Sequence, residues 1–300
     1  MAALPRAPSA EFLDASQTQT AFLDSTWFKT HGLKYSLPSP DQVRARCPRS
    51  GPAYSRPIAR FEEFDLAVKF GDRVTTSEAL CLRMVKRLLP TQVPVPEVYG
   101  WKVEQGQVFL YMQLIRGPTL LEQWGSMNYQ DKQSVCSHLC QILQSLRTIP
   151  QNLSKKFVGP FLGGRSNDRV LEFKPSNGPW PSVASFHNWL SWVWRRHAPE
   201  PEKIADPFRQ LLKDDSGIVL THGDLHQSNI IVSETSPVYV LAIVDWEQSG
   251  WYPDYWEHCK TTYTVAEWDD WFSGGWIDLI LPPNPTAQEA FDFYTKALGP

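Results

Sequence analysis

Little in this sequence suits a membrane, a nucleic acid or an oxidising compartment. No stretch approaches the roughly 20 consecutive apolar residues needed to cross a bilayer, so no membrane partner is expected. The five cysteines, an odd and scattered set, do not make a disulfide framework. Cys136 and Cys140, one helical turn apart in an apolar pattern, read as core thiols. Positive charge is not in excess: 29 Lys and Arg stand against 32 Asp and Glu, a net charge of −3. No basic surface therefore invites a nucleic acid. The first twenty residues lack an apolar run and carry Glu11 and Asp14, unlike a secretory signal or an acid-poor transit peptide. The expectation is a cytoplasmic protein whose oligomeric state the sequence leaves open.

What is abundant is tryptophan, with 13 in 300 residues. Trp246, Trp251, Trp256, Trp268, Trp271 and Trp276 crowd one C-terminal stretch among carboxylates. Most are expected to pack C-terminal helices. Their faces, with Glu257, Glu267, Asp269 and Asp270 nearby, also suit a cationic guest.

Three hundred residues suit one large domain or two lobes sharing a cleft. Residues 1–40 read as an extension with a short helix, ending at the Pro38-Ser39-Pro40 breaker. Leu66 to Phe70 is a short apolar strand closed by Gly71-Asp72. Thr75-x-x-Glu78 opens a helix with apolar positions at Ala79, Leu82, Val85 and Leu89, stopped by Pro90. Gln107 to Leu114 reads as another strand, broken at Gly117-Pro118. Helical spacing follows in Val135, Leu139, Ile142, Leu143 and Leu146, and again in Val183, Phe186, Trp189, Leu190, Val193 and Trp194. Residues 150–181, rich in Gly, Pro and Asn, read as a long surface excursion. Short strands over Ile218 to Leu220 and Val238 to Val244 come next. Strands and a helix first, then mostly helices, predict an α+β fold with a small lobe and a larger helical lobe.

The sharpest chemical signal is Thr221-His222-Gly223-Asp224-Leu225-His226-Gln227-Ser228-Asn229, followed by Val244-Asp245-Trp246-Glu247. Asp224 and Asn229 have the Asp-x-x-x-x-Asn spacing of a kinase catalytic loop, and Asp245 ends the next apolar strand. Asp and Asn also favour turns, so each alone has an ordinary structural explanation, whereas the combined string between two strands does not. A rival reading takes His222, Asp224 and His226, alternating on an extended segment, as Zn²⁺ ligands; it leaves Asn229 unused and lacks a second ligand cluster.

The runs HGDLHQSNIIV (222–232) and IVDWEQSGWYPDYWE (243–257) resemble the aminoglycoside phosphotransferase and choline kinase-like family, relatives of the protein kinases, and most of all its fungal branch. The resemblance spans about residues 41–265. It implies a bilobal kinase-like fold, with residues 41–116 as the β-rich lobe and 117–300 as the helical lobe. It implies an ATP- and Mg²⁺-dependent phosphotransferase acting on a hydroxyl of a small molecule, an amine-bearing alcohol or a sugar. By the resemblance, Asp224 takes or orients the hydroxyl proton, and Asn229 and Asp245 hold Mg²⁺. Lys69 touches the nucleotide phosphates and pairs with Glu78, which also has an ordinary explanation in the capping pattern Thr75-x-x-Glu78; the order of elements favours the pair. Met112 borders the adenine, and the Gln113 carbonyl and Ile115 N–H bond it. Glu257 or Asp254 braces the catalytic loop. One stretch departs from the pattern: Pro48 to Pro57, where a glycine-rich phosphate loop is expected, has one glycine and three prolines. Proline lacks the N–H that grips a phosphate, leaving Arg49 or Arg56 to compensate. The alternative is a non-catalytic nucleotide-binding scaffold of the same fold.

Overall fold

A computed structural model describes residues 14–32, 34–47, 58–151, 156–172 and 174–298. The glycine-poor stretch from Pro48 to Pro57, with Arg49 and Arg56, lies outside them.

The first half is built on a five-stranded antiparallel sheet. Its strands are β1 (Gln19–Ala21), β2 (Ile58–Phe61), β3 (Leu66–Gly71), β4 (Val98–Glu104) and β5 (Gln107–Gln113), ordered β1-β4-β5-β3-β2. In β3 every residue but the last is buried, because both faces are covered. One face carries α3 (Thr76–Leu88), whose Ala79, Leu82 and Val85 point into the sheet at helical spacing. The other carries α1 (Thr26–His31) and α2 (Pro40–Arg46), which bring Trp27, Phe28 and Val43 against Val68, Phe109 and Tyr111.

The segment read as an N-terminal extension is thus part of this layer, and β1 lies on the edge of the sheet. Its approach to β4 requires Gly100, where a Cβ would fall 2.2 Å from the Thr20 carbonyl oxygen. The Pro38-Ser39-Pro40 breaker doubles as a helix start: Ser39 caps α2 through a capping box, with Pro40 in the first turn.

The second half is mainly helical. It contains α4 (Leu120–Gln123), α5 (Tyr129–Leu146), β6 (Gly159–Pro160), α6 (Val183–Arg195), β7 (Ile218–Thr221), β8 (Ile230–Val232), β9 (Val240–Ile243), β10 (Gly250–Pro253), α7 (Trp256–Tyr263), α8 (Asp270–Ser273), α9 (Trp276–Ile280) and α10 (Pro285–Leu298). Strand β10 pairs antiparallel with β6 and β7, and β8 with β9.

The sequence misplaces residues 150–181. Rather than running over the surface, the segment buries Val158, Phe161, Ser166, Asp168, Leu171, Asn177 and Trp180. Its polar side chains do the work of a regular element: Asn177 Nδ2 donates to the carbonyls of Ser166, Leu171 and Glu172 at 3.2, 3.2 and 2.8 Å. Five of the six C-terminal tryptophans are core residues, and only Trp268 is exposed, at 88%. All five cysteines are free. Among the described residues, no helix is long and apolar enough to cross a membrane.

Candidate active site

The loop between β7 and β8 is fixed from behind. Glu257, in the first turn of α7, is buried and accepts the backbone N–H groups of His222 (2.5 Å) and Gly223 (3.0 Å). Asp254 instead receives the N–H of Gly217 at 3.3 Å, so Glu257 is the brace that sequence spacing alone did not select. Burial pushes its carboxyl above the usual range, opposed by His222 and these two N–H groups. Gly223 turns at φ +80°, and a Cβ there would fall 2.5 Å from the Gln248 carbonyl oxygen.

His222 Nε2 lies 2.9 Å from the Val244 carbonyl, while its Nδ1 accepts the Asp224 N–H at 3.2 Å. Nε2 is thus placed to donate and Nδ1 to accept. His226 Nδ1 accepts the Ser228 N–H (3.2 Å) at the start of the short turn that ends in Asn229. Both histidines thus have local structural partners. The triplet of His222, Asp224 and His226 does not converge: among the described residues, the group with metal-ligand spacing is Glu78, Asp245 and Glu247.

Asn229 and Asp245 come together because β8 and β9 form a hairpin. Asn229 precedes β8 and accepts the Val244 N–H on its carbonyl at 2.9 Å, which sets Asp245 beside it. Asn229 Nδ2 donates to the Asp224 carbonyl (2.8 Å) and lies 3.3 Å from its Oδ2. Asp245 adopts φ 65°, ψ 60°, a left-handed conformation uncommon outside glycine and concentrated at functional sites.

Lys69, in the middle of β3, reaches this point from the sheet. Its Nζ lies 2.8 and 2.9 Å from the two Glu78 oxygens, 2.7 Å from Asp245 Oδ1 and 3.4 Å from Glu247 Oε2. Thr75 does accept the Glu78 N–H at 3.3 Å, but the Glu78 carboxylate is on Lys69. Half of the capping box is realised, and the ion pair takes the other half. Burial works against the lysine's charge, yet Glu78, Asp245 and Glu247 hold its pKa above the ordinary value. Glu78 is pushed up by burial, against the pull of Lys69, because it shares that one cation with Asp245 and Glu247. Three carboxylates gather around one ammonium here, and their oxygens are donors of the kind a hard cation takes.

A cleft of about 400 Å³ opens here, between the sheet and the helical half. Lys69, Met112, Gln113, Ile115, Asn229 and Asp245 all line it. Glu78 sits behind Lys69 and Asp224 beside Asn229, and neither is among the residues that line the cleft. Sequence reasoning did not single out Glu247, although it stands inside the Asp245-Trp246-Glu247 motif. Nor did it find Arg169, which lines the same cleft from the segment read as surface.

A family model described as the phosphotransferase enzyme family matches residues 72–281, more than half of the chain. The chain belongs to the phosphotransferase enzyme family. Among solved structures, the phosphotransferase is similar to ADP-bound aminoglycoside phosphotransferase APH(2'')-Ib, with 14% identity and a TM-score of 0.51 over 92% of this chain and 86% of that one. It also matches a thermostable aminoglycoside phosphotransferase APH(4)-Ia in complex with ADP and hygromycin B, at 12% identity and a TM-score of 0.48 over 77% and 86%. The first of these likenesses shows the kinase-like fold. No curated protein sequence matches the phosphotransferase.

Proposed function

We propose that this phosphotransferase transfers the terminal phosphoryl group of Mg·ATP to a hydroxyl of a small molecule, with residues 41–116 and 117–300 as the lobes on either side of the nucleotide. The observation that carries this reading is the convergence of Lys69, Asn229 and Asp245 on one cleft, with the Glu78 and Glu247 carboxylates on Lys69 at its inner end.

In this reading adenine lies against Met112 and bonds the Gln113 carbonyl and the Ile115 N–H. Lys69, kept charged and oriented by Glu78, meets the inner phosphates. The residues present fit a Mg²⁺ ion, a hard cation that favours oxygen donors. Asp245 offers a carboxylate, and Asn229, with Nδ2 committed to Asp224, has its amide oxygen to give. Bound there, Mg²⁺ neutralises phosphate charge. Asp224 takes or orients the acceptor's hydroxyl proton, and Glu257 holds the loop that carries it. Phosphoryl transfer asks chiefly for this positioning and charge stabilisation. The acceptor's chemistry is not assigned to the tryptophans, because Trp246, Trp251, Trp256, Trp271 and Trp276 are occupied in the core. An amine-bearing alcohol would have to be read by other groups.

The test combines nucleotide binding with turnover. Thermal unfolding of the wild type with Mg·ATP at about 100 times its Kd should show stabilisation of roughly 2.7 kcal/mol, with the Mg²⁺-dependent part lost in Asp245→Ala. Asp224→Asn should keep that binding and lose about 10²- to 10⁴-fold in transfer to whichever amino alcohol or sugar in a panel serves as acceptor. Binding without turnover of any acceptor, in a panel extended to other hydroxyl compounds, would favour a nucleotide-binding scaffold. No response to any nucleotide would sink both readings.

A further inference from the structure

The segment between α5 and α6 delivers one cationic side chain to the cleft. Arg169 lines the cleft with Lys69, Asn229 and Asp245. Its Nη2 lies 3.9 Å from Glu247 Oε1, and its side chain is 48% exposed. Its backbone is held far more firmly than its guanidinium. The Arg169 N–H donates to Gln248 Oε1 at 2.9 Å, and the same oxygen accepts from Lys260 Nζ at 3.0 Å. The preceding residue, Asp168, is buried; its Oδ1 lies 2.7 Å from Lys260 Nζ and its Oδ2 accepts from Trp256 Nε1 at 3.0 Å. Asp168 Oδ1 also accepts the Val170 N–H at 2.9 Å. Both neighbours of Arg169 are thus tied to a buried ion pair, while Arg169 itself faces solvent and cleft.

The position of this anchor matters. Gln248 ties Arg169 to the loop that carries Asp245 and Glu247, and the Gln248 carbonyl abuts Gly223, the residue before Asp224. Arg169 therefore stands where the loop of Asp245 meets the loop of Asp224. The other arginine lining the cleft, Arg60, sits on β2 opposite Ala67, and its charge acts on Glu122 in α4.

We propose that Arg169 engages the terminal phosphate of the bound nucleotide, as an arginine supplied by the chain itself. A guanidinium presents a planar fork of donors suited to phosphate oxygens, and a charge held in place before the reaction stabilises the transferred group without reorganisation. Glu247 holds the guanidinium loosely, at 3.9 Å, so a phosphate can take its place. The buried Asp168–Lys260 pair fixes the backbone from which the side chain reaches.

The inference rests on the Mg·ATP reading, and its test separates the two. Affinities for Mg·ATP and Mg·ADP are measured by calorimetry for the wild type, Arg169→Ala and Arg169→Lys. Arg169→Ala should weaken Mg·ATP about 10-fold or more, in keeping with the loss of a charged hydrogen bond, while Mg·ADP changes by less than about 3-fold. Arg169→Lys should recover part of the difference, because the point charge returns without the fork. An unchanged unfolding midpoint for Arg169→Ala accompanies this result if the side chain acts on the ligand. If the wild type binds Mg·ATP and Arg169→Ala weakens both nucleotides alike, or neither, the inference is overturned while the function stands. If the wild type binds neither nucleotide, the functional reading falls and takes this one with it.

Discussion

Of the buried lysines, Lys260 and Lys69 sit in opposite electrostatic settings. Lys260, 2% exposed, faces one carboxylate, Asp168, with the Gln248 side-chain oxygen beside it. Lys69, 3% exposed, faces three carboxylates and lies at the wall of an open cleft. The first site balances one charge with one charge and closes over them. The second gathers three carboxylates around one ammonium at a point a ligand can reach. A closed, matched pair stabilises a local geometry, whereas an open, mismatched cluster is arranged for something that arrives later. In this phosphotransferase the two are connected: the matched pair anchors the segment that carries Arg169 to the mismatched one.

The most severe way to break that comparison is to remove the matched lysine. Lys260→Met should destabilise the fold by about 3–5 kcal/mol, the cost of leaving a buried carboxylate without its partner. Adding Asp168→Leu should recover much of the loss, measured as denaturant midpoints of the single and double variants. A double variant as unstable as the single one would mean that packing, rather than charge, is what Lys260 supplies.

An intermediate effect comes from a buried group whose partner is exposed. His187 has no exposed side-chain surface, and its nitrogens lie 2.8 Å from Asp214 Oδ1 and 2.7 Å from the Tyr255 hydroxyl. Burial lowers its pKa to about 4, against the opposing pull of Asp214. Between about pH 6.5 and 4 the unfolded chain binds a proton there that the folded chain refuses, so this contribution is present above pH 6.5 and is lost as pH falls through that window. The loss amounts to roughly 3 kcal/mol at most, at about 1.4 kcal/mol per pKa unit. The slope of unfolding free energy against pH should flatten over that window in His187→Gln. An unchanged slope would assign the acid limb to other groups.

The gentlest test falls on the mismatched site. Glu78→Gln leaves Lys69 with two carboxylates and removes a carboxyl that burial already disfavours as an anion. Its effect on stability should stay within about 1 kcal/mol, near the net value of a single hydrogen bond. A loss as large as that of Lys260→Met would show that the three carboxylates act as structure, and the contrast between the two lysines would disappear.

The parts of the candidate site that lay close together in the chain were legible before any fold was known. Asp224 and Asn229 share one loop, Asp245 closes the next apolar run, and Lys69 sits on a strand ahead of a capped helix. The edge strand β1 was not legible. Three residues with no apolar alternation form it, and what makes it a strand is the row of β4 backbone groups beside it. The segment 150–181 was misread for a related reason. Gly, Pro and Asn normally mark exposed turns, but here Asn177 satisfies buried carbonyls of its own segment, and Asp168 pairs with Lys260, 92 residues away, which no sequence window covers.

Sequence alone determined the chemistry available and its order along the chain: which residues carry carboxylates, amides and ammonium groups, and the strands and helix on which they ride. These follow from side-chain identity and local periodicity, which are properties of neighbours in sequence. Tertiary structure decided which of those groups meet. It chose Glu257 over Asp254 as the brace of the loop between β7 and β8, put Glu78 on Lys69 rather than on its own helix end, and buried five of the six C-terminal tryptophans in the core. It also brought Arg169 into the cleft from a segment that looked like surface. Hydrogen bonds and ion pairs depend on distance in space, and that distance is set only when the whole core has packed.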